Sequence, residues 1–82
     1  MDRQAITSRL KTIFENVLDV DVEITPELSA KDVPEWDSLT HVRLIVTVEK
    51  EFKVRFAAAE VSALKNTGDL IDLIERRLHQ GR

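Results

Sequence analysis

Ser38-Leu39-Thr40-His41-Val42-Arg43-Leu44-Ile45-Val46-Thr47-Val48-Glu49-Lys50-Glu51-Phe52 is the stretch on which the fold class turns. Its β-branched residues, crowded across 42–48, raise the option of a strand, yet the strict apolar–polar alternation of a half-buried strand is missing. Leu39, Val42, Ile45, Val46, Val48 and Phe52 recur by threes and fours, with no Gly or Pro before residue 68. The spacing therefore predicts a helix over about 38–53. Its apolar set is wider than one core stripe needs. Ile45, Val48 and Phe52 form one line, and Leu39, Val42 and Val46 form another, rotated around the cylinder. Either the second line is exposed for a partner or the helix is buried more deeply than a surface helix.

Upstream, Ile6, Leu10, Ile13, Phe14, Val17 and Leu18 repeat at helical spacing and predict a first helix over about 4–18. Between the two, residues 19–37 lose all periodicity. Pro26 and Pro34 bar a continuous helix, and Val20, Val22, Ile24, Leu28 and Val33 are scattered among acids, so this is a long loop packed against the helices. Downstream, residues 56–64 are rich in helix formers but short, giving about two turns. Leu70, Ile71, Ile74 and Leu78 then define a last helix over about 68–79, with Thr67 as its expected N-cap and Asp69 in the first turn. Arg76, Arg77 and His79 suit the negative end of its dipole, and Gly81 is its expected stop. The expected fold is all-α: a four-helix bundle of three long helices and one short, with a long loop between the first two, forming one domain over residues 1–82.

Size and composition narrow the function. An 82-residue chain supports one core and no separate substrate domain. Its aromatic residues are Phe14, Trp36, Phe52 and Phe56, so Leu, Ile, Val and Ala must build most of that core. No cysteine is present, which excludes disulfides, thiolate metal sites and any thiol borne by the protein. No stretch approaches the roughly 20 apolar residues of a membrane span, and Met1-Asp2-Arg3-Gln4 runs directly into an amphipathic pattern. A cytoplasmic, soluble chain is expected. The net charge of −3 argues against nucleic acid, but it conceals a pattern: residues 1–14 sum to +2, 15–37 to −7 and 38–82 to +2.

Asp37-Ser38 stands where the acidic loop becomes the second helix. Asp and Ser are preferred N-caps, so a structural role is the simple reading. A hydroxyl here is also a place where an attached phosphate would meet the positive end of a helix dipole and its unpaired N–H groups. Beyond that point the pattern becomes specific. The run Trp36-Asp37-Ser38-Leu39-Thr40-His41-Val42-Arg43-Leu44-Ile45, then Val48-Glu49-Lys50-Glu51-Phe52, a short third helix, and Thr67-Gly68-Asp69-Leu70 opening the fourth, resembles the acyl carrier protein family over nearly the whole chain.

The resemblance implies that Ser38 carries a 4′-phosphopantetheine group, joined by a phosphodiester and transferred from coenzyme A by a phosphopantetheinyl transferase. The arm's thiol would hold an acyl or aminoacyl group as a thioester, so a cysteine-free chain would gain its sulfur from the cofactor and catalyse nothing itself. It implies further that Asp37 and Leu39 are read by the transferase. Val42 and Val46 would face partner enzymes (an acyl ligase, synthase or acyltransferase), and Ile45, Val48 and Phe52 would belong to the core, beside which an acyl chain is sheltered. A monomer is expected, without a bound metal. Two features differ from the family's usual pattern. Pro34-Glu35 replaces Leu-Gly before the site, and Pro34 at the first corner of a type I turn would restore the bend. The second helix carries Arg43, Lys50 and Lys53 against Glu49 and Glu51, where fatty-acid carriers are strongly acidic. Arg43 and Lys50 are therefore expected on the partner face of a specialised, discrete carrier. Trp36 is either a packed loop anchor or a platform for the arm.

Three other readings of these residues exist. Asp37, Ser38 and His41 hold the residue types of a hydrolase, but Asp37 is placed to cap the helix and no oxyanion hole or binding domain is evident, so no enzyme is expected. Asp19-Val20-Asp21-Val22-Glu23 has the alternating acids of a calcium loop, yet Ile24 and Ala30 stand where Gly and a bidentate Glu belong. His41 and His79 are expected to be solvated. The alternative of another class is a helical interaction module in which Ser38 is only a helix cap or a phosphorylation site.

Overall fold

The computed structural model describes residues 2–80 and contains four helices: α1 (Arg3–Leu18), α2 (Ser38–Phe52), α3 (Ala58–Ser62) and α4 (Thr67–Gln80). The 38–52 stretch is helical, and no strand occurs among the described residues. The expected stop at Gly81 lies outside them. Asp2 caps α1 by accepting from the Ala5 amide at 2.8 Å. With only two glycines in the chain, α1 and α2 end on Asp19 and Lys53, both in the left-handed region with φ of 56° and 58°. Asp tolerates that conformation; for Lys it carries a steric cost offset by the bond from its amide to the Glu49 carbonyl.

α1 is the centre of the packing, lying against both α2 and α4. Ile6, Leu10, Ile13, Phe14 and Leu18 meet Leu44, Ile45, Val48 and Phe52 of α2 and Leu70, Ile71 and Ile74 of α4. Ile45, Val48 and Phe52 are core, as the spacing requires; Leu44, fully buried, joins them from the adjoining strip of the same helix. Arg3 pairs with Asp72 and Glu75 across α1 and α4, and Arg9 with Glu51 across α1 and α2. These exposed pairs set little of the stability.

The nineteen-residue loop is a chain of closed turns. Both prolines occupy the second position of a β-turn: Leu28 N–H donates to Thr25 O at 3.1 Å around Pro26, and Trp36 N–H to Val33 O at 2.9 Å around Pro34. Glu35 has no positive φ, so the Pro34 turn is of the type that needs no glycine. Ile24, Val33 and Trp36 are buried and anchor the loop on the core.

The third helix is short, as expected, and one expectation is corrected. The third helix spans five residues, because Phe56 packs half-buried on the core as part of an extended approach and no side chain caps Ala57; the Glu60 carboxylate instead accepts from the Ala57 amide at 2.9 Å. Thr67 is not the cap of α4. Asn66 takes that role, its side-chain oxygen accepting from Asp69 N–H at 2.9 Å. Thr67 is fully buried, with its hydroxyl against the Thr25 and Leu28 carbonyls and its amide donating to Leu28 O at 2.8 Å. Next to it, Gly68 donates to Pro26 O at 2.9 Å, and a Cβ there would stand 2.9 Å from that same oxygen. The start of α4 thus staples the middle of the loop. Thr67→Val keeps the shape and removes the hydroxyl, while the Thr25 and Leu28 carbonyls keep their backbone N–H partners. Urea denaturation is expected to show a loss of about 0.5–1.5 kcal/mol, the net worth of one hydrogen bond; an unchanged midpoint would remove the staple from the account.

Candidate functional site

The loop meets α2 in a tightly bonded corner. Asp37 is the N-cap, its carboxylate accepting from the amides of Leu39 and Thr40, each at 3.0 Å. Thr40 closes the reciprocal half of a capping box: its hydroxyl accepts from Asp37 N–H and donates to Glu35 O, both at 2.8 Å. The Thr40 amide, foremost among these donors, holds the Asp37 carboxyl below the ordinary aspartate range, helped by the Thr40 hydroxyl and the Leu39 amide. The group is an anion at neutral pH.

Ser38 is therefore not the cap. It is the first residue of α2, exposed, with the capping already done by its neighbour. The amides of Leu39 and Thr40 are also not open donors, contrary to the expectation of unpaired N–H groups, because Asp37 occupies them. Ser38 opens onto a groove of about 440 Å³ between the loop, α2 and the α3 region, walled by Trp36, His41, Val42, Val61 and Leu64, with Lys65 at its edge.

Trp36 is a packed loop anchor, only 8% exposed. Its ring stands edge-on to Phe14 with centroids 5.2 Å apart. Its Nε1–H donates to His41 Nδ1 at 3.0 Å, the two rings lying side by side within 25° of coplanar. His41, expected to be solvated, is half-buried and already has a partner, while His79 is exposed. The hydrolase arrangement is absent: the Asp37 carboxylate turns to backbone amides and the His41 ring to Trp36. Asp21, from the acidic run, pairs with Lys11 at 2.9 Å, and no group of three or more metal-ligating side chains occurs among the described residues.

The second apolar line of α2 is on the surface. Leu39 is 78% exposed, Val42 61% and Val46 43%, one stripe running down the helix from Ser38. Arg43 and Lys50, both exposed, stand seven residues apart beside it. The two acids of α2 are engaged elsewhere: Glu49 accepts from Phe56 N–H at 2.9 Å, and Glu51 pairs with Arg9 at 3.3 Å. At the foot of the stripe, Val46 and Val54 floor a groove of about 450 Å³ edged by Lys50, Lys53 and Arg55, with Glu49 also in its lining. Lys50, Lys53 and Arg55 outnumber Glu49 in this groove, which is net basic.

Sequence reasoning missed Thr40, although a hydroxyl three residues after a capping Asp has the spacing of a capping box. It missed the Trp36–His41 bond as well, for which five-residue spacing across a helix start gives no signal.

The profile described as the phosphopantetheine attachment site matches residues 8–74. The chain is 34% identical over 79 residues to an acyl carrier protein of Thermosynechococcus vestitus, covering 95% of this chain and 98% of that protein. Among solved structures, it resembles the holo acyl carrier protein of Geobacter metallireducens, with a TM-score of 0.85 and 42% identity over 92% of this chain and 87% of the other. It also resembles the acyl carrier protein of Thermotoga maritima, with a TM-score of 0.89 and 25% identity over all of this chain and 96% of the other.

Proposed function

Since this chain belongs to the acyl carrier family, which shares the phosphopantetheine attachment site, we propose that Ser38 is the residue on which the 4′-phosphopantetheine arm is built. An acyl carrier is not an enzyme: it holds a cargo as a thioester on that arm and presents it to the enzymes of fatty-acid, polyketide or related biosynthesis. The observation that carries the assignment is the position of Ser38: exposed, first in α2, relieved of capping by Asp37, and open to a groove able to receive a chain-like group. A covalent arm fits there without displacing any core residue. When attached, it supplies the thiol that this cysteine-free chain lacks.

The remaining residues of the corner hold and display that serine. Asp37 and Thr40 fix the first turn of α2, so the hydroxyl stands at one place relative to Leu39, whose exposed side chain and the Asp37 carboxylate are the features a transferase reads. Below them, Val42 and Val46 form the apolar contact line for partner enzymes, and Arg43 and Lys50 flank it. Because cations outnumber acids on this face and Glu51 pairs with Arg9, the fitting partner presents acidic side chains around an apolar centre. In this reading the partner is a dedicated ligase, synthase or acyltransferase, and the carrier meets it as a monomer in the cytoplasm.

The test of the assignment is an intact mass. After incubation with coenzyme A and a promiscuous phosphopantetheinyl transferase, the chain is expected to gain one phosphopantetheine group, and Ser38→Ala to gain none while keeping its helical circular dichroism. No adduct on the wild type, or an adduct on Ser38→Ala, overturns it. A phosphorylation-only role for Ser38 predicts the first of these failures.

A further inference from the structure

The corner around Ser38 has a surplus that capping and display do not use: an indole and an imidazole bonded to one another beside the attachment hydroxyl. We propose that His41 is a positioning residue for the prosthetic arm, its Nε2–H donating to a phosphodiester oxygen on Ser38, with Trp36 fixing the ring for that purpose. The proposal rests on Ser38 being the attachment residue.

An indole nitrogen only donates, so its bond to His41 Nδ1 makes that nitrogen the acceptor and leaves the ring proton on Nε2, the atom facing away from Trp36. Trp36 is itself fixed by burial and by the edge-on contact with Phe14, so the imidazole is held by the core through one intermediary. Residues three apart on a helix have Cβ atoms about 5–6 Å apart, which puts the ring within reach of a group one phosphorus–oxygen bond beyond the Ser38 oxygen. His41 and Ser38 also line the same groove.

The phosphodiester needs such a donor. At most helix starts an anion would bond the first free amides, but here Asp37 already holds those of Leu39 and Thr40, and its own negative charge stands beside the serine. Across the groove the cationic candidate is Lys65, exposed on a flexible stem. The imidazole differs from it in being pre-oriented, so less rotamer freedom is lost when the bond forms.

The experiment uses the full chain converted to its holo form with coenzyme A and a transferase, and follows its single phosphorus by ³¹P relaxation. His41→Asn keeps an acceptor near the Nδ1 position for Trp36 but removes the outward donor; His41→Gln places an amide N–H near the Nε2 position. In wild type the phosphorus is expected to tumble with the protein. In His41→Asn the ratio of held to free phosphodiester should fall about tenfold, the size of one lost charge-assisted hydrogen bond, and His41→Gln should restore most of it. The Trp36 indole resonance, retained in His41→Asn, shows that the corner is still folded. Equal ³¹P relaxation in wild type and His41→Asn overturns the positioning role while leaving the attachment intact. Release in Lys65→Ala but not in His41→Asn also overturns it, by assigning the contact to the lysine. Absence of the mass adduct overturns both this proposal and the attachment on which it rests.

Discussion

Phe14→Ala is expected to lower the stability of the fold by about 3–5 kcal/mol, the range for removing a fully buried phenyl ring. The ring is inaccessible to solvent, sits at the centre of the α1 stripe, and is the surface on which Trp36 packs edge-on at 5.2 Å. A domain of this size has a total stability of only about 4–12 kcal/mol, so the variant would stand close to unfolding at 25 °C. Its effect also reaches the functional corner, because Trp36 holds the end of the long loop and bonds His41. Trp36 is the only tryptophan, so its emission reports that corner alone. Urea denaturation of Phe14→Ala followed by circular dichroism should show the stability loss, and native-state fluorescence should shift to the red. Leu39→Ala, on a side chain 78% exposed, should stay within about 0.5 kcal/mol of wild type. A loss under 1 kcal/mol in Phe14→Ala, with unchanged emission, would contradict the role given to this contact.

The second large effect concerns partners. Arg43→Glu combined with Lys50→Glu reverses the two exposed cations beside the Val42–Val46 line, on a helix whose own acids are bonded to Phe56 and Arg9. Steering by complementary charge raises association rates by about 10- to 1000-fold at low ionic strength. Loading of the double variant by its acyl-transferring partner is therefore expected to slow at least about tenfold in low salt. The difference should shrink towards none at 1 M salt, where the screening length is only about 3 Å. Phosphopantetheine attachment, which depends on the corner above, should still go to completion. Equal loading rates at low salt would remove α2 from the docking surface, and faster loading would mean that the partner's patch is basic.

How much of this was legible in the residues differs from part to part. Helical spacing in 38–52 resolved the β-branched ambiguity and separated the Ile45–Val48–Phe52 line from the Leu39–Val42–Val46 line, because periodicity is a property of neighbours three and four apart. It did not decide whether the line of Val42 is exposed or buried with the rest of the helix; the structure buries Val48 and leaves Val42 61% exposed. It could not place Thr67, whose hydroxyl is used by Thr25 and Leu28 some forty residues away; a Thr before a helix looks like a cap whether or not a tertiary contact takes it. The same limit hid the Trp36–His41 pair, since a ring-to-ring bond across a loop–helix junction leaves no repeat in the sequence. The proposal for Ser38 starts from its motif, while its freedom from capping became clear only from the bonds made by Asp37. The short third helix was legible from the helix formers after Phe56, but its start was not, because Phe56 packs on the core ahead of the first turn.

The central claim is that a chain with no sulfur nucleophile of its own does thiol chemistry with a thiol attached at Ser38. A thiol titration of the purified chain, before and after treatment with coenzyme A and a phosphopantetheinyl transferase and after removal of excess coenzyme A, tests it directly. The account predicts no thiol before treatment, one per chain after it, and none at either stage in Ser38→Ala. A wild-type count that stays at zero, or a thiol that appears in Ser38→Ala, would contradict it.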